Sequence, residues 1–288
     1  MPDVRPAIAM AALALASPLV ARAADAPTPP GEAYSLFNPV PDAQLRPLCT
    51  DRPTKSTSPC TVDAGRFQLE SDIFNETVDH SGGVTTTTQL FTSPTLKLGL
   101  THTVDVEVNF TPYERVSVRD HGVTTTASGF GDLFLKAKVS LLGDDGGKVG
   151  LGLVPYLKVP TASGGVGNGA VEGGLIAPVS ITLPQSWSLV IDPEVDVLEN
   201  ASGPGHHANA AGLISLSKGI NSQVTLSAEL WSDVNWDPAG RVTQVSADFG
   251  GAWIPKSSPN LQFDGGFNFG LNRNTPGVQG YVGVSRRF

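Results

Sequence analysis

The chain has 288 residues and a formal net charge of −8, with only 16% of residues charged, against about 25% in an ordinary soluble domain. Its 32 glycines and 23 prolines argue against a helical protein, because these are the poorest helix formers, and no apolar run of about 18 residues is present to cross a bilayer as a helix. The acidic balance gives no support for a nucleic-acid partner.

In chain order, Arg5 supplies a thin positive region and residues 7–20 (AIAMAALALASPLV) form an apolar run. Ala21 and Ala23 offer small residues for a cleavage site. This is the pattern of a secretory signal peptide, expected over residues 1–23. Residues 24–64 are rich in Pro, Ala, Thr and Asp and read as a periplasmic N-terminal segment, trailing free or plugging whatever follows. They hold the chain's 2 cysteines, Cys49 and Cys60. An isolated pair in an exported chain most simply closes one disulfide, and a loop of this size stabilises by roughly 3 kcal/mol in the chain-entropy model. No His lies nearby to complete a metal site, so neither a metal nor another cofactor is expected.

From Gly65 the texture changes to strict alternation of apolar and polar residues, the period of a half-buried strand. Phe67, Leu69, Ser71 and Ile73 share one face, and Arg66, Gln68, Glu70 and Asp72 the other. The pattern recurs through Val104-Asp105-Val106-Glu107-Val108 and Leu133 to Leu141, and on to Phe288. It predicts about 12 strands, the connections falling near 77–87, 101–102, 111–128, 143–147, 161–169, 184–185, 199–207, 219–222, 235–241, 255–260 and 272–277. The early odd-numbered connections are longer than the even ones beside them. Sorting long loops to one end and short turns to the other is how an outer-membrane barrel is built. A spanning sheet has to close so that every backbone polar group is paired. The expected fold is therefore all-β, a transmembrane up-and-down antiparallel β-barrel over residues 65–288. A soluble β-sandwich would need bulkier residues to fill a core.

An ionised side chain facing lipid costs about 2–4 kcal/mol at midplane, so parity assigns the charged strand residues to the lumen. The candidates are Glu70, Asp72, Lys97, Asp105, Glu107, Asp132, Lys136, Lys138, Lys158, Asp192, Glu194, Asp196, Glu229 and Asp264. Two readings stay open: a water-filled pore whose charges bias passage, or a narrow lumen filled by salt bridges. Asp192, Glu194 and Asp196 form a carboxylate row with neighbours about 7 Å apart, which reads as a lumen stripe before a catalytic pair. The 5 His residues fall in predicted loops or turns, and the 164–169 stretch (GGVGNG) is not followed by a Lys-Ser/Thr pair, so it reads as a loop, not a phosphate cradle. No catalytic residue is expected, and the chain reads as no enzyme.

The chain ends Tyr281-Val282-Gly283-Val284-Ser285-Arg286-Arg287-Phe288. Val282, Val284 and terminal Phe288 on one face look like the signal read by barrel-assembly machinery, with Arg286 departing from the apolar preference of that face. Thr50-Asp51-Arg52-Pro53, then Val62-Asp63-Ala64-Gly65-Arg66-Phe67-Gln68-Leu69-Glu70, resembles the entry to the first strand in the MetA-pathway of phenol degradation family of outer-membrane barrels. Gly129-Phe130-Gly131-Asp132-Leu133, residues 155–161 (PYLKVPT) and Glu229-Leu230-Trp231 are similar to that family in the same order; the Cys pair bracketing Asp51-Arg52-Pro53 is not part of the likeness. The resemblance, from about residue 50 to the end, implies an outer-membrane barrel of transporter type. The expected function is a channel for small solutes, hydrophobic or aromatic ones among them, in the outer membrane of a Gram-negative bacterium. Its expected partners are outer-membrane lipid, the barrel-assembly machinery and an unnamed small solute. The alternative is a structural or adhesive barrel with a closed lumen and partner-binding outer loops.

Overall fold

The computed structural model describes residues 34–143 and 146–288; the expected signal peptide lies outside them. The wall is built from β1 (Phe67–Ser81), β2 (Val84–Gly99), β3 (Val104–Asn109), β4 (Tyr113–Asp120), β5 (Val123–Gly129), β6 (Leu133–Leu142), β7 (Val149–Val159) and β8 (Glu172–Ile176). It continues through β9 (Val179–Leu183), β10 (Trp187–Glu199), β11 (His206–Gly219), β12 (Val224–Asn235), β13 (Val242–Trp253), β14 (Leu261–Gly270) and β15 (Val278–Arg287). All neighbours pair antiparallel, and β1 pairs with both β2 and β15, so the sheet closes on itself. Three wall strands are each made of two segments. β3 and β4 both pair with β2, β5 and β6 form the next strand, and β8 and β9 both lie between β7 and β10. The fifteen segments thus make a closed barrel of twelve strands.

Burial runs inside out. On β14, Gln262, Asp264 and Asn268 are buried, while Phe263, Phe267 and Phe269 stand 41%, 58% and 44% exposed. Val106 and Leu135 are exposed, while Asp105, Glu107 and Lys138 on the same two strands are almost wholly buried. A soluble barrel would place these sets the other way round. An apolar outer band around a polar interior is the arrangement that lipid selects, and closure leaves the wall without an unpaired edge at membrane depth. The extreme C-terminus takes part in the closure. The Phe288 N–H donates to the Phe67 carbonyl at 2.8 Å, and the two rings lie 5.9 Å apart.

Two predicted loops are corrected. The connections expected over 77–87 and 111–128 are not loops but the upper halves of long hairpins. β1 and β2, at 15 and 16 residues, exceed the 9–11 residues a tilted strand needs to span, and they meet at a tight Gly82-Gly83 turn with both residues at positive φ. β4 and β5 continue the same sheet and turn at His121-Gly122, again both at positive φ. This four-stranded extension leaves the cylinder at a crease. Thr92 takes a left-handed φ of 61°, the β1 register shifts between Asp72 and Phe74, and residues 110–112 and 130–132 interrupt the next two strands.

The segment 160–171 is a true loop, and the Gly129-Phe130-Gly131-Asp132 stretch is its anchor. Ser163 N–H donates to the Phe130 carbonyl at 2.9 Å and Ala162 N–H to Asp132 Oδ1 at 3.0 Å. A side chain at Gly129 would overlap the Ser163 backbone, which is why glycine is needed where the loop lies down on the wall.

Candidate functional site

Residues 34–64 pack as one compact unit with the wall, and the part closed by the Cys49–Cys60 disulfide crosses the bore. Backbone length sets its reach: the stretch between the two cysteines is long enough to touch opposite walls of a twelve-stranded barrel. Four consecutive contacts fix it there.

The first is Asp51. Its carboxylate accepts from Lys138 Nζ at 2.7 and 2.8 Å and from Lys97 Nζ, and its N–H donates to Glu70 Oε2 at 3.0 Å. Lys97 also pairs with Glu70 at 2.7 Å and with Glu107 at 3.5 Å, and Lys138 lies 3.4 Å from Glu107. Both lysines are almost wholly buried. Burial alone would disfavour the charged Asp51 carboxylate, but the ammonium groups of Lys138 and Lys97 outweigh it and hold its pKa well below the ordinary carboxylate value. The second contact is Arg52. Its guanidinium donates to Asp264 through Nε at 3.0 Å and Nη2 at 2.7 Å, and to Asp72 through Nη1 at 2.6 Å. The planar fork suits two carboxylates at once. A side chain at Gly283 would overlap that guanidinium, and one at Gly250 would stand 2.7 Å from Pro53 Cγ, so the wall is notched for this segment.

The third contact is Lys55, whose Nζ donates to Asp248 Oδ2 at 2.6 Å and Ser246 Oγ at 2.9 Å and lies 4.9 Å from the centre of the Trp231 ring. Its N–H reaches Glu229 Oε1 at 3.2 Å. The fourth is Thr57, whose N–H donates to Asp192 Oδ2 at 2.7 Å. Behind the loop, Val62 N–H donates to Asp105 Oδ2 at 2.8 Å, and Asp63 pairs with Arg46 and Arg287 at 2.8 and 2.7 Å.

Of the candidates drawn from parity, Glu70, Asp72, Lys97, Asp105, Lys138, Asp192, Glu229 and Asp264 therefore all meet the N-terminal segment, and Glu107 holds the two lysines that do. The rest lie apart from it. Lys158 pairs with Glu172 at 2.6 Å and approaches Asp132 at 3.5 Å. Tyr156 Oη donates to Asp196 Oδ1 at 2.6 Å and Asn209 Nδ2 to Asp196 Oδ2 at 2.9 Å. Glu194 is half-buried and Lys136 lines a cavity. Sequence reasoning missed Asp51, Arg52, Lys55, Thr57 and Asp248. Asp51 and Arg52 carried a signal, being inside the family-like Thr50-Asp51-Arg52-Pro53 stretch. His206 and His207 open β11 at the rim instead of lying in a loop, and among the described residues no group of three His, Cys, Asp or Glu is placed to hold a metal.

The segment divides the interior. On one side of it lie cavities of about 220 Å³, lined by Asp51, Arg52, Lys97 and Lys136, and about 250 Å³, lined by Lys55, Trp231, Asn268 and Gln279. Toward the end holding the 100–103 and 184–186 turns lies one of about 820 Å³, lined by Arg46, Cys49, Cys60, His102, Thr182 and Arg287. Residues 51–57 face the first pair, and the disulfide faces the last.

Known proteins share the fold of the wall. The model of the family described as "Putative MetA-pathway of phenol degradation" matches residues 50–288. No curated protein matches the sequence. Among solved structures, the COG4313 outer membrane channel from Pseudomonas putida F1 superposes with a TM-score of 0.61 at 15% identity, over 77% of this chain and 95% of that one. The NanC porin gives 0.47 at 10% identity, over 77% and 98%, and the translocator domain of the autotransporter NalP from Neisseria meningitidis 0.46 at 14%, over 77% and 88%. At 15% identity the likeness to the first of these is one of fold.

Proposed function

The chain belongs to the family described as "Putative MetA-pathway of phenol degradation", and from that premise we propose that it is a plugged outer-membrane channel whose N-terminal segment gates the passage of small solutes. The observation that carries this reading is the set of contacts from Asp51 to Thr57, with open space on both sides of them. A structural barrel has no need of internal cavities on either side of its filling. Cavities of about 220 and 250 Å³ suit molecules the size of a single ring better than oligomers, and Trp231 beside one of them offers a face for an aromatic solute. The family description favours the same class of solute. Ser35 pairs with Thr101 and Phe288 with Phe67 on the side of the short turns, which supports that side facing the periplasm and the long hairpins facing outward.

Planar-bilayer recording and liposome swelling test the proposal. The folded protein should give small, infrequent openings, and the variant Arg52→Ala should open more often and admit larger solutes. A wild type and an Arg52→Ala variant that are equally silent toward every solute would favour the structural barrel with a closed lumen.

A further inference from the structure

Among the described residues, the outward face of the wall carries charge only at its two rims. At the end holding the short turns, Lys218 stands beside Trp187 and Arg286 beside Phe288. At the other end the charge is concentrated on the hairpin extension. Tyr113 closes an outward aromatic row, its ring 5.6 Å from Phe91, which lies 5.3 Å from Phe74. Such rows mark the level where acyl chains give way to head groups. Alternation then carries Arg115, Ser117 and Arg119 up the same face of β4. At about 3.3 Å per residue, Arg115 sits about 7 Å beyond Tyr113 along the strand, and Arg119 about 20 Å.

Their neighbours on that face are hydroxyls and amides. Arg115 lies opposite Gln89 and Ser128, Ser117 opposite Thr87 and Thr126, and Arg119 opposite Thr85 and Thr124. The nearest carboxylate in that row, Glu76, already accepts from Gln89 Nε2 at 2.6 Å. Both arginines are exposed, and among the described residues neither guanidinium is paired with a carboxylate. Two unpaired guanidinium forks above an aromatic girdle, set among hydroxyl groups, match the chemistry of phosphate esters carried on sugars.

We propose that this face of the β1–β2–β4–β5 extension binds the phosphorylated head group of an outer-leaflet glycolipid, Arg115 and Arg119 holding phosphate while Thr85, Thr87, Ser117, Thr124 and Thr126 meet sugar hydroxyls. The assignment rests on the hairpins facing outward, as set out under the proposed function. Binding at this face anchors the extension against the leaflet and leaves the bore untouched.

The test is native mass spectrometry of the folded barrel in detergent with three probes: a purified bis-phosphorylated outer-leaflet glycolipid, the same lipid with its phosphates removed, and inorganic phosphate as competitor. The wild type should retain the phosphorylated lipid at least tenfold better than the dephosphorylated one. Arg115→Gln with Arg119→Gln should lose that preference, and Arg115→Lys with Arg119→Lys should recover part of it. Equal retention by wild type and the double Gln variant would overturn the proposal. So would displacement of the lipid by millimolar inorganic phosphate, which would mean a free-anion site. Retained heat-modifiable migration of each variant shows that it has folded, and unchanged single-channel conductance of the double Gln variant separates this face from the gate. Orientation has its own readout: Ser81→Cys should react with a membrane-impermeant maleimide on intact cells. Lack of reaction there, with reaction in lysed cells, would overturn the outward placement whatever the detergent result.

Discussion

The two ends of the plugging loop are held in different ways. At its root, Asp51 and Arg52 enter a dense set of groups in which Lys97, Lys138, Glu70, Asp72 and Asp264 are all buried and each charge has an opposite partner. At its tip, the Lys55 ammonium pairs with Asp248 and its N–H reaches Glu229, with its side chain still 30% exposed. A buried charge that loses its partner is costly, whereas a half-exposed one falls back on water. Root and tip should therefore respond differently to the same kind of change: the root is an anchor and the tip a latch.

The largest effect is expected at the root. Asp51→Ala takes from Lys138 its nearest carboxylate and from Lys97 one of its two close ones, leaving them to share the more distant Glu107, and should cost about 3–5 kcal/mol. The unfolding temperature of the barrel should fall and its conductance rise. Acid should act in the same direction. A carboxyl whose pKa is depressed in the folded state contributes stability above its ordinary value near 4, and that contribution is lost as pH falls through the depressed value. Channel activity should stay level from pH 7 to about pH 4 and rise below it, and Asp51→Asn should remove most of that rise. A wild-type record that stays flat as pH is taken well below about 4 would mean that the root does not control opening.

Opening the covalent loop comes next. Replacing Cys49 and Cys60 together by Ser frees a segment whose closure is worth roughly 3 kcal/mol by chain entropy, but the root contacts remain. More frequent openings are expected with little change in the unfolding temperature of the wall. The smallest effect belongs to the tip. Lys55→Met combined with Asp248→Asn keeps the stem beside Trp231, removes both charges and so strands no buried carboxylate, and about 1 kcal/mol or less should be lost. Brief openings should appear in single-channel records while melting is unaltered. A loss in that double variant as large as in Asp51→Ala would erase the distinction between anchor and latch.

The wall was legible in the sequence because lipid imposes a rule on every second residue. Asp105, Glu107 and Lys138 inward and Val106 and Leu135 outward follow from alternation alone, and so does the number of strands. The hairpin extension was not legible. Once above the membrane, Thr85 to Thr88 and Thr124 to Thr126 need no apolar face, so the period disappears while the hydrogen-bond ladder goes on. The plug was hidden for another reason. Its partners come from β1, β2, β6, β10 and β12 to β14, and no local pattern in a Pro/Ser/Thr-rich segment encodes contacts so distant. One clue lay in the acidic excess of the inward positions, which called for cations from elsewhere, and Arg52 and Lys55 supply them.

Arg52 and Asp264 are separated by 212 positions, and the segment made early is held by strands that come late. The notches at Gly283 and Gly250 lie on those same late strands. The stopper's contacts can therefore be complete only once the final staves stand around it. Deleting residues 51–57 would strip buried wall carboxylates of their cations, disturbing the container as well as opening it.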